Sequence, residues 1–246
     1  MSIRVAIAQI NPKLGDLCAN LALYEEKIRQ GIEQKAELLV FPELSLTGYY
    51  LRDTVPSVAL TMDSPEMNRL KKLSRELPFI AGLVEESADH RFFNSAVYFE
   101  DGAVRHVHRK VYLPTYCMFD EQRYNARYWE MINSAYTETF SLFMIYGNRC
   151  GFEDGVGFWG GSEIVDPFGQ RIAKAKYYDE DFIVADVAFE SVRRKRTMSP
   201  LLRDEDIDLT INELMRIRER PGAQKIVQPF TNSKVRKLKS SRTRKR

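Results

Sequence analysis

Three side chains in the first half of this 246-residue chain have the chemistry of a reaction centre: the carboxylates of Glu43 and Glu121 and the ammonium of Lys110. A partly buried carboxylate can take up and return a proton, and a fixed ammonium can steady a developing anion. Glu43 sits in Phe41-Pro42-Glu43-Leu44-Ser45-Leu46-Thr47-Gly48-Tyr49, and Lys110 in Arg109-Lys110-Val111-Tyr112-Leu113-Pro114. Taken singly, each also reads as a solvated loop charge, and Glu121 as a helix-start or loop ion-pair partner. The thiols are Cys18, Cys117 and Cys150, an odd set with no paired spacing. Together with three histidines that make no ligand cluster, they imply neither a disulfide framework nor a zinc site.

The elements around these residues follow from apolar spacing. Residues 3–10 place Ile3, Val5 and Ile7 on one face and Ala6, Ala8 and Ile10 on the other, as in a strand covered on both sides. Asn20 is the expected cap of a helix through Leu21, Tyr24, Ile28 and Ile32 that ends near Ala36. The run 38–41 is a strand halted by Pro42, which delivers Glu43 into a loop. This strand–helix–strand order predicts a right-handed crossover. A helix over 64–76, opened by Ser64-Pro65-Glu66, precedes a strand over 79–84. Strands over 94–99 and 104–108 flank an Asp101-Gly102 turn and leave Lys110 just past the hairpin. Glu43 and Lys110 are thus both expected at strand ends, where α/β sheets gather ligands. Beyond them the spacing predicts a helix over 128–139 through Trp129, Ile132 and Tyr136, a strand over 142–146, a hairpin over 163–172, a strand over 182–187 and a helix over 205–218.

Length and composition bound the class. Apolar residues at 44% and charged residues at 29% describe a folded globular chain, and 246 residues suffice for one large α/β domain. No stretch approaches the ~20 apolar residues of a membrane span. The chain opens on a strand pattern where a secretory leader would be basic and then apolar, so a cytoplasmic location and no membrane partner are expected. The net charge of +3 conceals eight basic and no acidic residues between Lys234 and Arg246, which leaves −5 on the remainder. The expected organisation is one domain over 1–218 and a basic, disordered tail over 219–246. Such a tail can bind phosphate backbones by counterion release, but no aromatic residue is interleaved for stacking, so a solvated tail is the favoured alternative to nucleic acid.

Longer words carry a resemblance. Phe41-Pro42-Glu43-Leu44 with Thr47-Gly48-Tyr49, Phe93-Asn94-Ser95-Ala96, Arg109-Lys110-Val111-Tyr112-Leu113-Pro114 and Phe119-Asp120-Glu121-Gln122-Arg123-Tyr124 occur in order. Asn148-Arg149-Cys150-Gly151-Phe152-Glu153-Asp154-Gly155, Phe158-Trp159-Gly160-Gly161-Ser162 and Asp166-Pro167-Phe168-Gly169 follow. Together they resemble the nitrilase, or carbon–nitrogen hydrolase, superfamily over roughly residues 3–205. They are most similar to amidohydrolases related to the glutaminase domain of glutamine-dependent NAD synthases. The resemblance implies a four-layer α-β-β-α sandwich and hydrolysis of a small amide or nitrile by a Glu-Lys-Cys mechanism without metal or organic cofactor. It also implies a homodimer or larger assembly. Glu43 would be the general base, Lys110 the stabiliser of the oxyanion, and Glu121 a second carboxylate orienting Lys110 or the substrate amine.

One segment departs from the pattern. Between Tyr124 and Tyr128 the superfamily places a strand, an elbow bearing the nucleophilic cysteine, a helix and a further strand; here only Asn125-Ala126-Arg127 intervene. Such a block needs on the order of 40 residues. Cys117 is the thiol nearest the expected site in sequence but does not match the nucleophile's motif, and Cys18 and Cys150 read as structural. Three readings stay open: an amidohydrolase impaired by the missing block, a non-catalytic binding or assembly protein on the same scaffold, and nucleic-acid association through the tail.

Overall fold

The computed structural model describes residues 1–111, 122–201 and 203–220, with backbone alone at 122–125. Glu121, Cys117 and the tail beyond residue 220 lie outside the described residues. The chain divides into two compact units, Met1–Leu202 and Arg203–Arg246.

The first unit begins with β1 (Ser2–Gln9), α1 (Leu17–Glu33) and β2 (Leu38–Val40), followed by a 3-10 turn and the short α2 (Val55–Val58). Next come α3 (Pro65–Leu73), β3 (Phe79–Glu86), β4 (Phe92–Glu100) and β5 (Ala103–Arg109). The remainder is α4 (Gln122–Phe140), β6 (Met144–Tyr146), β7 (Cys150–Glu153), β8 (Val156–Trp159), β9 (Glu163–Val165), β10 (Arg171–Lys174), β11 (Asp181–Ala188) and α5 (Phe189–Met198). A six-stranded sheet has the order β11-β1-β2-β3-β4-β5, a second sheet the order β10-β9-β6, and β7 and β8 form a separate hairpin. The pairs β1–β2 and β2–β3 are parallel, and the outer pairs are antiparallel.

The alternation in β1 sorts the layers as the sequence predicts. Ala6, Ala8 and Ile10 face Leu21, Tyr24 and Ile28 of α1, joined by Phe79, Ala81 and Leu83 of β3 and by Met67 and Leu70 of α3. Val5 and Ile7 face the second sheet, packing with Ile164 and Ile145. With α4 on the outside of the second sheet, the layers are α-β-β-α, and that sheet is where the shortfall shows. Strand β6 pairs with β9 and has no second neighbour among the described residues.

Several expectations change in detail. Asp16, not Asn20, caps α1 by accepting from the Ala19 amide (2.9 Å). Asn20 is buried one turn in, where it donates to the carbonyls of Lys13 (2.7 Å) and Leu46 (2.9 Å) and accepts from the Lys13 amide (2.8 Å). Ile32 is exposed, and the adjacent Gly31 takes the inward position against Leu77. The last strand, β11, pairs antiparallel with β1 and completes the first sheet. The words at 148–155 and 158–162, which resemble later strands of the superfamily, form the β7–β8 hairpin, whereas α5 was not expected, being short and without a clean apolar period. In the second unit, α6 (Ile207–Arg218) is capped by Asp206, which accepts from the Leu209 amide.

The two polar residues at the start of α1 should therefore differ in weight. Asp16→Ala removes an exposed cap and should cost about 1 kcal/mol. Asn20→Ala strands buried backbone groups and should cost about 2–3 kcal/mol in urea unfolding. Equal losses would contradict the anchoring of the 42–50 loop by Asn20.

Candidate active site

The chain reaches Glu43 by continuing past β2, where the Phe41 amide still donates to the Ile80 carbonyl (3.0 Å). Pro42 then ends the pairing, and the loop crosses the face of β3 at Gly82. A Cβ on Gly82 would stand 2.3 Å from the Pro42 oxygen and 2.5 Å from the Leu44 nitrogen, so this crossing requires glycine. Behind the loop, Ser45 Oγ donates to the Pro42 carbonyl (2.6 Å) and accepts from the buried Tyr24 hydroxyl (2.6 Å). The Leu46 amide donates to the Gly82 carbonyl (3.0 Å), and Leu44 adopts the left-handed region at φ 49°. A leucine there is costly in isolation and persists because its surroundings over-determine it.

The hairpin delivers the second charge. Asp101 and Gly102 take φ of 51° and 76°, as the Asp-Gly turn predicts. Past β5, the Lys110 amide donates to the Asn94 carbonyl (2.9 Å), extending the pairing by one residue. Lys110 Nζ then donates to Glu43 Oε1 at 2.6 Å, and Asn94 Nδ2 donates to the same oxygen at 2.6 Å. Glu43 Oε2 has no hydrogen-bond partner among the described residues. The side chains of Lys110 and Glu43 remain 33% and 41% exposed, so the pair opens to solvent.

On the opposite face of the same strands, Glu85 is only 3% exposed and accepts from Ser95 Oγ (2.7 Å), Arg109 Nε (2.9 Å) and Arg109 Nη2 (2.5 Å). The Arg109 guanidinium, which also covers the Phe93 ring at 4.1 Å, holds the Glu85 carboxyl below its ordinary range. Strand alternation thus turns Asn94 and Lys110 toward the loop, and Ser95 and Arg109 toward a buried brace.

The wall beside Glu43 is aromatic. Glu153, at the end of β7, accepts from the amides of Tyr49 (2.8 Å) and Tyr50 (2.6 Å) and pairs with buried Arg149. Tyr49 packs edge-on against Phe158. Burial, and then the charge of Glu43, push the Tyr49 phenol up to about 12. On β6, burial and the charges of Glu163 and Glu43 raise Tyr146, whose ring stacks on Trp129.

The structure thus brings Glu43 and Lys110 together, while Glu121 and Cys117 fall outside the described residues. Neither remaining thiol touches the pair: Cys18 is exposed on α1, and Cys150 is buried in β7, with burial first and then Glu180 pushing its thiol up to about 11. Asn94, Tyr49 and Glu153 stand inside the matched words but gained no role from the sequence; their contacts cross between segments far apart in the chain. Tyr146 had no signal at all. Among the described residues, no group of three His, Cys, Asp or Glu side chains could hold a metal ion.

Two outcomes follow from this geometry. Gly82→Ala should cost about 1–3 kcal/mol in chemical denaturation, because the crossing backbone has to move away. Glu85 has a lowered folded-state pKa, so its contribution is present above the ordinary carboxylate range and is lost as pH falls through the folded value. Glu85→Gln should accordingly flatten the acid limb of a stability–pH curve, and an unchanged limb would argue against the Arg109 brace.

Comparison with known proteins bears on the family and the fold. The glutamine-dependent NAD(+) synthetase of Thermotoga maritima is 24% identical over 279 positions, covering 89% of this chain and 48% of the relative. The chain therefore spans about half the length of the curated relatives it matches over most of its own. Since 89% of 246 residues is about 219, about 60 of those 279 positions lack a counterpart here, enough for the ~40-residue strand–elbow–helix–strand block. Among solved structures, a carbon–nitrogen hydrolase from Helicobacter pylori G27 shares the fold, with a TM-score of 0.74 at 21% identity over 87% of this chain and 99% of that one. The NitN amidase from Nesterenkonia sp. AN1 superposes with a TM-score of 0.67 at 20% identity, over 86% and 99% of the two chains. The carbon–nitrogen hydrolase profile matches residues 4–131 and 121–197, two stretches that overlap at 121–131, where the sequence departs from the superfamily's pattern. Matched over most of its length on both sides of that break, the chain belongs to the carbon–nitrogen hydrolase family.

Proposed function

We propose that Glu43 and Lys110 are the general base and the electrostatic stabiliser of a carbon–nitrogen hydrolase site for a small amide or nitrile, and that the missing block leaves this chain impaired at the first chemical step. The observation that carries this reading is the 2.6 Å contact between Lys110 Nζ and Glu43 Oε1 at the open end of the first sheet. In the complete reaction on an amide, Glu43 takes the proton of a thiol as sulfur bonds to the amide carbon. Lys110 offsets the negative charge that develops on the substrate oxygen. The C–N bond then breaks as Glu43 returns the proton to the leaving amine, and a water activated by Glu43 releases the acid.

Glu121 belongs to the same proposal, as the carboxylate that orients Lys110 or the substrate amine. The names of the relatives, glutamine-dependent synthetases, favour a primary carboxamide such as the glutamine side chain as substrate. A homodimer and a cytoplasmic location complete the reading. A second reading, a non-catalytic scaffold for binding or assembly, is favoured by two absences among the described residues: a second neighbour for β6, and a cysteine in contact with Glu43.

The two readings separate on ammonia release. The unaltered chain should release none from glutamine above background. A chain given the relative's missing segment between Tyr124 and Arg127 should release ammonia, and Glu43→Gln in that chain should lower the rate at least about 100-fold. A well-folded restored chain without activity would sink the hydrolase reading. Ammonia release by the unaltered chain that disappears with Cys117→Ala would instead show that the nucleophile is not missing.

A further inference from the structure

The hydrogen bonds at Glu43 are unevenly shared between its two oxygens. Asn94 Nδ2 and Lys110 Nζ both reach Oε1 at 2.6 Å, and Oε2 has no partner among the described residues. Asn94 also holds the other half of the pair, since its carbonyl accepts from the Lys110 amide at 2.9 Å. One residue therefore fixes the carboxylate through its side chain and the ammonium's backbone through its main chain.

We propose that Asn94 is a positioning residue that locks the Glu43 carboxylate by its Oε1, so that Oε2 is the oxygen that accepts the proton. This rests on the reading of Glu43 as a general base. A carboxylate held only by Lys110 can rotate and present either oxygen, and the flexible lysine stem follows it. The amide of Asn94 is planar and short, and its backbone is fixed within β4, where Val84↔Asn94 is a paired position. The two donors occupy Oε1 and leave Oε2 as the oxygen open to an incoming donor. The proton of a thiol or water then goes to Oε2, with its electron pair left on sulfur or oxygen. Orientation of this kind is worth rate because proton transfer needs the acceptor within hydrogen-bond reach along one direction.

The chain as it stands permits a direct test by NMR of the asparagine side-chain amides. The Asn94 amide signal should shift as Glu43 is titrated with acid, and that response should vanish in Glu43→Gln. An Asn94 amide indifferent to the titration would overturn the proposal. In the restored chain, Asn94→Ala should lower kcat about ten-fold and leave KM unchanged, the loss expected for one hydrogen bond to a charged group. A raised KM with unchanged kcat would assign Asn94 to substrate binding and also overturn it. Loss of activity in Asn94→Ala has to be accompanied by an unchanged unfolding midpoint, which excludes simple misfolding. Failure of the base reading is distinguishable, because Glu43→Gln would then leave ammonia release intact while the Asn94 amide still follows the titration.

Discussion

The geometry of this site depends on the absence of a side chain at one position in β3. Gly82 lies on the sheet face where the 42–50 loop must cross, and the loop backbone occupies the space of its Cβ. Every other anchor presupposes that crossing. Ser45 reaches the Pro42 carbonyl, Leu46 pairs with Gly82 itself, and Asn20 meets the Leu46 carbonyl only because the loop is pressed onto the strand. The parallel placement of β2 beside β3 supplies the direction; the glycine supplies the closeness. A side chain there would raise the loop and carry Glu43 away from both Asn94 and Lys110.

The second sheet has three strands among the described residues, and α4 covers them largely through charges. Asn133 donates to Glu163 (2.9 Å), which is 1% exposed and also pairs with Arg171 (2.7 Å) and Lys174 (3.3 Å). Burial opposes the charge of Glu130, but hydrogen bonds from Lys174 and Tyr177 outweigh it and hold that carboxyl below its ordinary range. Taking such groups out of water is expensive, and the arrangement is tolerable because the carboxylate oxygens find partners. It also fixes where α4 can sit. Sliding the helix by a turn would strip Glu163 of the Asn133 donor while Arg171 and Lys174 stay in place, and one lost hydrogen bond to a buried charged group costs about 1–3 kcal/mol.

What was legible in the sequence was periodic or verbal. The alternation in β1, the Asp101-Gly102 turn and the Ser64 cap are local signals, and each formed as read. The pairing of Glu43 with Lys110 came from words in known order, since no local rule connects residues 67 apart in the chain. Asn20 was misread because a cap and a buried bridge use the same residue type; only the tertiary position of Leu46 separates them. The brace formed by Glu85, Ser95 and Arg109 was invisible for a similar reason. A glutamate in a strand reads as exposed until the face it occupies is known, and that face is set by register with β4 and β5. Strand β11 was found, but not its place beside β1, which sequence order cannot give.

The Glu43–Lys110 pair cannot be what holds the 42–50 loop in place. Exposed ion pairs contribute about 0–1 kcal/mol, too little to fix a loop against its own conformational entropy. The anchors that do so lie in β3, β4, α1 and the β7–β8 hairpin, where Glu153 grips the amides of Tyr49 and Tyr50. None of them belongs to the strand–elbow–helix–strand block that the family places between Tyr124 and Tyr128. The alignment of Glu43 with Lys110 therefore does not draw its support from that stretch of the chain. What sets it is written into the first sheet, in the Gly82 crossing and in the Asn94 and Lys110 positions of the β4–β5 hairpin.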